Sequence, residues 1–321
     1  MSEIKEKNKG GAKKWLTRIG VGLVCAVFAV GLLILIGYGQ IKYLSFVMSI
    51  VCGLILHEVM GVTGCKSKRI TMMFLLLAGF IPLYLGFDFI KLQDFKGDPM
   101  YYSLHTYMEM KIPGFSIMLF IMYILAVLMI MLRIYEKVRF ENVTIGLFWS
   151  LAAPASVYTL RLTYDFMEQS EQFTRAQVVF VLLISMFSAW LCDTFALFTG
   201  SAFGKHKLAP KISPKKSIEG AVGGVLCTTI GSVIAYFVAR IYFGGQDNIK
   251  LWMVIVFVPI VCVFGICGDL AASVIKRNFG VKDFGTLLPE HGGALDRVDS
   301  FLFTMPATYV IVRLLTEIMS K

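Results

Sequence analysis

Apolar runs of about 20 residues alternate along the chain with short polar connections. At 1.5 Å rise per residue such a run matches the thickness of a bilayer's hydrocarbon, so the pattern predicts membrane-crossing helices. About nine segments qualify, at roughly 19–37, 43–63, 70–87, 113–132, 143–160, 176–198, 219–243, 251–272 and 301–318. The first is too long for the apolar core of a cleaved leader, and no small-x-small cleavage pattern precedes a polar mature domain, so a retained helix is expected. The third is short and is interrupted by Pro82. The expected architecture is an all-α polytopic membrane bundle of about nine transmembrane helices. A basic tail spans 1–18, N-terminal helices 19–175, and a C-terminal transmembrane region, which carries the candidate chemistry, 176–321.

Composition removes the soluble alternatives. Of 321 residues, 57% are hydrophobic and 16% charged, and the mean hydropathy is +0.73, too apolar to cover a water-exposed surface. The seven cysteines (Cys25, Cys52, Cys65, Cys192, Cys227, Cys262 and Cys267) fall mostly inside apolar runs without CxxC spacing, so they suit small core positions better than disulfides or zinc. The net charge of +10 would fit nucleic acid, but the basic residues sit in short loops between spans. Topology and anionic lipid account for them better, and no nucleic-acid partner is expected.

Those loops also orient the chain. Lysines and arginines crowd the N-terminal tail, the loop at 66–69, the loop at 133–139, the segment 205–216 and the segment 276–297, and they are sparse in the alternating loops. The positive-inside tendency therefore places the N-terminus and both later basic segments in the cytosol, within a cell membrane. The loops at 88–112 and 161–175 fall outside and read as solvated connectors. Residues 1–15, polar and Lys-rich, read as a disordered tail near anionic headgroups.

Two charged constellations depart from this background. At the end of the eighth span, Asp269, Ser273 and Lys276 lie within about 60° of one another on one helical stripe. A carboxylate within an apolar span is strongly disfavoured unless it meets a cation, so Asp269 should have one. Downstream come Arg277, Lys282, Asp283 and His291-Gly292-Gly293, then Asp296-Arg297-Val298-Asp299 directly before the ninth span. The two aspartates there share a face if the helix has begun, where one acid would serve as an N-terminal cap. A carboxylate pair can also hold Mg²⁺ through oxygen, and two glycines let backbone amides approach a phosphate. His291 could serve as ligand, acid/base or phosphate donor.

The other constellation spans the sixth helix and its following loop: Asp193, Ala196, Gly200, Gly204-Lys205, then Ser213-Pro214-Lys215-Lys216-Ser217-Ile218-Glu219-Gly220. Lys215 and Lys216 are mobile point charges suited to a triphosphate. Ala196, Gly200 and Gly204, with Gly220 and Gly224, suit a close helix-packing seam. His57-Glu58, adjacent and so on different helix faces, suits an interhelical hydrogen bond better than a metal site. Trp15, Trp149, Trp190 and Trp252 mostly lie near span ends, as interfacial anchors would.

The order SxxKRxxxxKDxxxxxPxHGGxxDRxD over Ser273–Asp299 resembles the signature of the CDP-diacylglycerol synthase (phosphatidate cytidylyltransferase) family. The earlier constellation resembles the same family's D-x-x-A-Y-x-x-G-R-x-x-G-K and P-x-I-S-P-K-K-T-x-E-G stretches, with Leu197 where Tyr is usual and Ser201 where Arg is usual. The resemblance covers roughly 190–305. It implies CTP and phosphatidic acid as substrates, CDP-diacylglycerol and pyrophosphate as products, Mg²⁺ as cofactor with K⁺ as a second cation, and a homodimer. It implies metal-holding roles for Asp269 and Asp296, extended here to Asp299. Lys276, Arg277, Lys282, Asp283, His291 and Arg297 complete the expected catalytic set. Substrate contacts are expected from Asp193, Lys205, Ser213, Lys215, Lys216, Ser273, Gly292 and Gly293. Two alternatives remain. One is a related CTP-dependent enzyme acting on an ether phospholipid or polyprenol. The other is a cation transporter using Asp193 and Asp269, for which no inverted repeat is visible.

Overall fold

The structure, a computed structural model, describes Gly31 and residues 41–63, 140–170, 172–243, 248–285 and 292–319. Its elements run α1 (Ile41–Val62), α2 (Phe140–Gln169), α3 (Arg175–Phe203), β1 (Lys207–Ala209), β2 (Ser213–Ser217), α4 (Ile218–Phe243), α5 (Leu251–Asn278), α6 (Leu295–Val298) and α7 (Phe301–Met319). Among the described residues four helices are long and apolar enough to cross a membrane: Arg175–Phe203, Ile218–Tyr242, Leu251–Asn278 and Leu295–Met319. They correspond to the last four expected spans. The expected spans at 19–37 (Gly31 apart), 70–87 and 113–132 lie outside the described residues.

The chain divides into two compact units, Gln40–Tyr158 and a second made of Met1–Gly39 with Thr159–Lys321. In the first, α1 buries Cys52, Ile55, Leu56 and Val59, an i, i+3, i+4, i+7 stripe. His57 is exposed while Glu58 is buried, so the adjacent pair does take opposite sides. Trp149 is fully buried, a core residue and not the expected interfacial anchor.

In the second unit, α2 continues to Gln169, so Asp165 and Glu168 belong to a helix and not to a loop beginning at 161. Thr174 then starts α3 with a capping box: its hydroxyl accepts the Gln177 amide at 3.4 Å, and Gln177 Oε1 accepts the Thr174 amide at 2.8 Å. The seam between α3 and α4 is built from absent side chains. A Cβ on Gly220 would stand 2.7 Å from the Ala196 carbonyl oxygen and 3.0 Å from Gly200 Cα, and one on Gly224 would stand 2.6 Å from the Cys192 carbonyl oxygen. Backbones approach this closely only where small residues allow it, which in lipid is a principal source of helix association. The opposite face of α4 presents Val222, Leu226, Ile230 and Ile234 outward, as a lipid-facing stripe would.

The same device joins α5 to α7. A Cβ on Gly268 would meet the Asp299 carbonyl oxygen at 2.8 Å and Ser300 Cα at 3.2 Å. The start of α7 is thereby drawn against the turn of α5 that carries Asp269.

Among the described residues the fold is helical apart from one feature that the all-α expectation lacked. Residues 207–217 form a two-stranded antiparallel hairpin, pairing Lys207 with Ser217 and Ala209 with Ser213 across an irregularity. Its turn closes with the Ile212 amide on the Ala209 carbonyl at 3.2 Å. Pro214 is tolerated because a two-stranded hairpin has only edge strands.

Candidate active site

Successive strand residues point to opposite faces, and this separates the two lysines of β2. Lys215 is exposed, whereas Lys216 is turned inward. The Lys216 ammonium lies 3.7 Å from Asp193 Oδ1 on α3 and forms a closer ion pair with Asp269 Oδ2 on α5. Burial alone would make its proton easier to lose. Asp269 and Asp193 outweigh that and hold the group above the ordinary lysine range. Asp299, buried just before α7, has its backbone carbonyl against Gly268, the residue before Asp269. Asp299 Oδ1 also accepts the Ser300 amide at 2.7 Å. Two carboxylates from two helices thus pair with one ammonium supplied by the hairpin.

A second cluster lies further along α5. Lys276 donates to Asp296 Oδ1 at 2.7 Å and lies 5.4 Å from the centre of the Phe284 ring. The other oxygen, Asp296 Oδ2, accepts the amides of Phe284 at 2.8 Å and Gly293 at 3.0 Å. Gly292 has φ of +84°, and a Cβ there would lie 3.1 Å from Asp296 Oδ2, so glycine is needed for both conformation and space. The Gly293 amide, expected to face a phosphate, is directed to Asp296 instead.

Asp269, Ser273 and Lys276 do share a helix, but Lys276 serves Asp296 while Asp269 takes its cation from the hairpin. Ser273 is buried beside them. Arg277 reaches back to the hairpin, donating from Nε to the Ile212 carbonyl at 3.2 Å and from Nη1 to the Val281 carbonyl at 3.3 Å. Lys282 and Asp283 are exposed, Ser213 is half-buried in the β2 pairing, and the Lys205 side chain is exposed. Arg297 is exposed, and its carbonyl accepts the Trp190 indole at 3.3 Å. That ring also meets Phe301 edge-on at 5.1 Å, so Trp190 ties α3 to the start of α7. His291 lies outside the described residues. Leu197 and Ser201 are both exposed, and the Ser201 hydroxyl donates to the Phe198 carbonyl at 2.8 Å.

Two positions carry no role in the sequence reading. Gly268 sits immediately before Asp269, and that adjacency of a small residue to an intramembrane acid was the available signal. Glu219 stands in the stretch that carries the family resemblance, which assigned it no role.

Among the described residues no three His, Cys, Asp or Glu side chains meet as a metal-binding group. The donor set around Lys216 nevertheless suits a hard cation: it is all carboxylate oxygen, and a positive group already lies between Asp193 and Asp269. Both oxygens of Asp296 are engaged elsewhere.

The model of the Cytidylyltransferase family matches residues 16–315. Proteins named phosphatidate cytidylyltransferase align over 139 residues, 43% of this chain: that of Staphylococcus saprophyticus at 44% identity, that of Staphylococcus haemolyticus at 41% and that of Staphylococcus aureus at 42%. The chain spans about half the length of these curated relatives, 51% in each case.

Proposed function

The chain belongs to the cytidylyltransferase family, and on that premise we propose that it makes CDP-diacylglycerol and pyrophosphate from CTP and phosphatidate in the membrane. The observation that carries this is the pairing of Asp193 and Asp269 with Lys216, with Lys215 exposed on the outer face of the same strand. In the proposed reaction a phosphate oxygen of the lipid attacks the α-phosphorus of CTP. The bond from that phosphorus to the bridging oxygen breaks, and pyrophosphate leaves. The attacking oxygen is already anionic, so no strong general base is needed. The demands are positioning and relief of negative charge.

Lys215, exposed at the cytosolic end in this topology, suits the soluble polyphosphate. Lys216 keeps two carboxylates together that would otherwise repel. Lys276 and Asp296 hold the Phe284 and Gly292–Gly293 segments beside the end of α5. Asp269 and Asp299, with Asp193 beside them, are the residues that would hold Mg²⁺. Asp296 would act by holding Lys276. The ion, when bound, would draw electron density from phosphoryl oxygens. The acyl chains would stay in lipid while the headgroup reaches the charged ends of α3, α5 and α7.

The direct test is purified protein in mixed micelles with CTP, phosphatidate and Mg²⁺, with CDP-lipid and pyrophosphate measured together. Equal yields of the two are expected. Turnover only with a polyprenol or an ether phospholipid would move the protein to another lipid within the family. Cation flux through reconstituted vesicles without CTP would replace the enzyme reading.

A further inference from the structure

The base of the hairpin is closed by one side chain that the proposed reaction does not use. Glu219, in the first turn of α4, turns its carboxylate back across the loop that leads out of α3. Its Oε2 accepts the Lys205 amide at 3.1 Å and the His206 amide at 3.1 Å, and its Oε1 meets His206 Nδ1 at 2.6 Å. Beside it the Ile218 amide donates to the His206 carbonyl at 2.9 Å. The residue before, Ser217, is enclosed by glycine. Its hydroxyl oxygen would stand 2.9 Å from a Cβ on Gly200, 2.7 Å from one on Gly204 and 2.8 Å from one on Gly220. The far end of the hairpin is held separately, by Arg277 on the Ile212 carbonyl.

These contacts act on register. A strand that slips by one residue exchanges its two faces. For β2 that exchange would turn Lys216 away from Asp193 and Asp269 and bring Lys215 inward. A hairpin of three and five residues is too short to hold its own register, so the register must be set from outside it.

We propose that Glu219 is a positioning residue: its carboxylate clasps the base of the β1–β2 hairpin and fixes which face carries Lys215 and which carries Lys216. The inference rests on the proposed cytidylyltransferase reaction for its kinetic consequence but not for its structural one. Glu219 touches neither the acid cluster nor, in this account, the substrates. It acts through the two lysines, one of which faces soluble polyphosphate.

The test uses the full-length protein in micelles and compares Glu219→Ala and Glu219→Gln with wild type. Apparent KM for CTP, apparent KM for phosphatidate, kcat, and amide hydrogen exchange over residues 204–218 are measured. Glu219→Ala should raise the apparent KM for CTP at least tenfold and leave that for phosphatidate within twofold. Exchange over the hairpin should quicken at least tenfold while that of α3 and α5 stays unchanged. Glu219→Gln, which retains one acceptor oxygen, should fall between. A variant that merely folds less completely would lose kcat in proportion to the missing protein and keep both KM values, and that result would overturn the proposal. Unchanged exchange over the hairpin would overturn it as well. If wild type shows no turnover with CTP and phosphatidate, the proposed reaction fails, and the exchange comparison still decides whether Glu219 holds the hairpin.

Discussion

At the scale of single residues, the two adjacent lysines of β2 face opposite sides, and substitution should separate their contributions. Lys216→Ala leaves Asp193 and Asp269 facing each other without a cation. Lost transition-state stabilisation of about 3 kcal/mol already lowers a rate more than a hundredfold, and kcat should fall by at least that much. Lys215→Ala removes an exposed charge and should raise apparent KM for CTP roughly tenfold while kcat changes little. Steady-state kinetics of the two variants check the division, and identical profiles would refute it. Asp269→Asn and Asp296→Asn should each reduce turnover more than a hundredfold while the protein still inserts. The first weakens the grip on the cation site; the second releases Lys276 and the Phe284 and Gly293 amides. Wild-type-like activity in Asp269→Asn at ordinary Mg²⁺ would end the metal assignment. The identities of these acids and lysines were legible in the sequence, but their pairing was not. Asp269 and Lys216 are far apart along the chain, and a helical stripe shows only neighbours on its own helix.

At the scale of elements, the α3–α4 seam decides where the hairpin begins and ends. Gly220→Ala should cost ~1–3 kcal/mol, the usual range for overpacking a tight contact, because the added methyl would meet backbone atoms of Ala196 and Gly200 that cannot move aside. Gly231→Ala lies on the same helix with open space around it and should not lower stability. Thermal unfolding in detergent compares the two; equal losses would show that the contact between α3 and α4 is looser than these distances. The seam was visible as small residues four apart, since the spacing that lets helices approach is itself a sequence pattern. The hairpin was not visible. Three residues of β1 and five of β2 carry no alternation long enough to distinguish them from a polar loop.

At the scale of the whole molecule, sidedness ties topology to chemistry. CTP is a polyanion that does not cross lipid, so the proposed reaction requires the acid cluster and the hairpin to lie toward the compartment that holds it. Helix α5 runs 28 residues from Leu251 to Asn278, about 42 Å at 1.5 Å per residue, enough to cross the hydrocarbon. Single cysteines at Asn278 and Asn248, in a cysteine-free background, should react with a membrane-impermeant thiol reagent from opposite sides, Asn278 in inverted vesicles and Asn248 in intact cells. Labelling of Asn278 from outside would reverse the topology and separate the site from its nucleotide.

The sequence by itself determined that this chain lives in a bilayer, where its last four spans run, and which charged residues stand out, because hydropathy and charge are properties of composition along a line. It also carried the family resemblance, which depends on residue order alone. Only the tertiary structure decided which acid meets which base. Lys216 reaches Asp193 and Asp269 because a short hairpin folds back over α3 and α5, and the Asp299 backbone lies against the turn that carries Asp269 because Gly268 leaves room for it. Ion pairing follows distance in space, and the distances here are set by backbone approach at glycines and by one strand register, neither of which is written in the charge pattern.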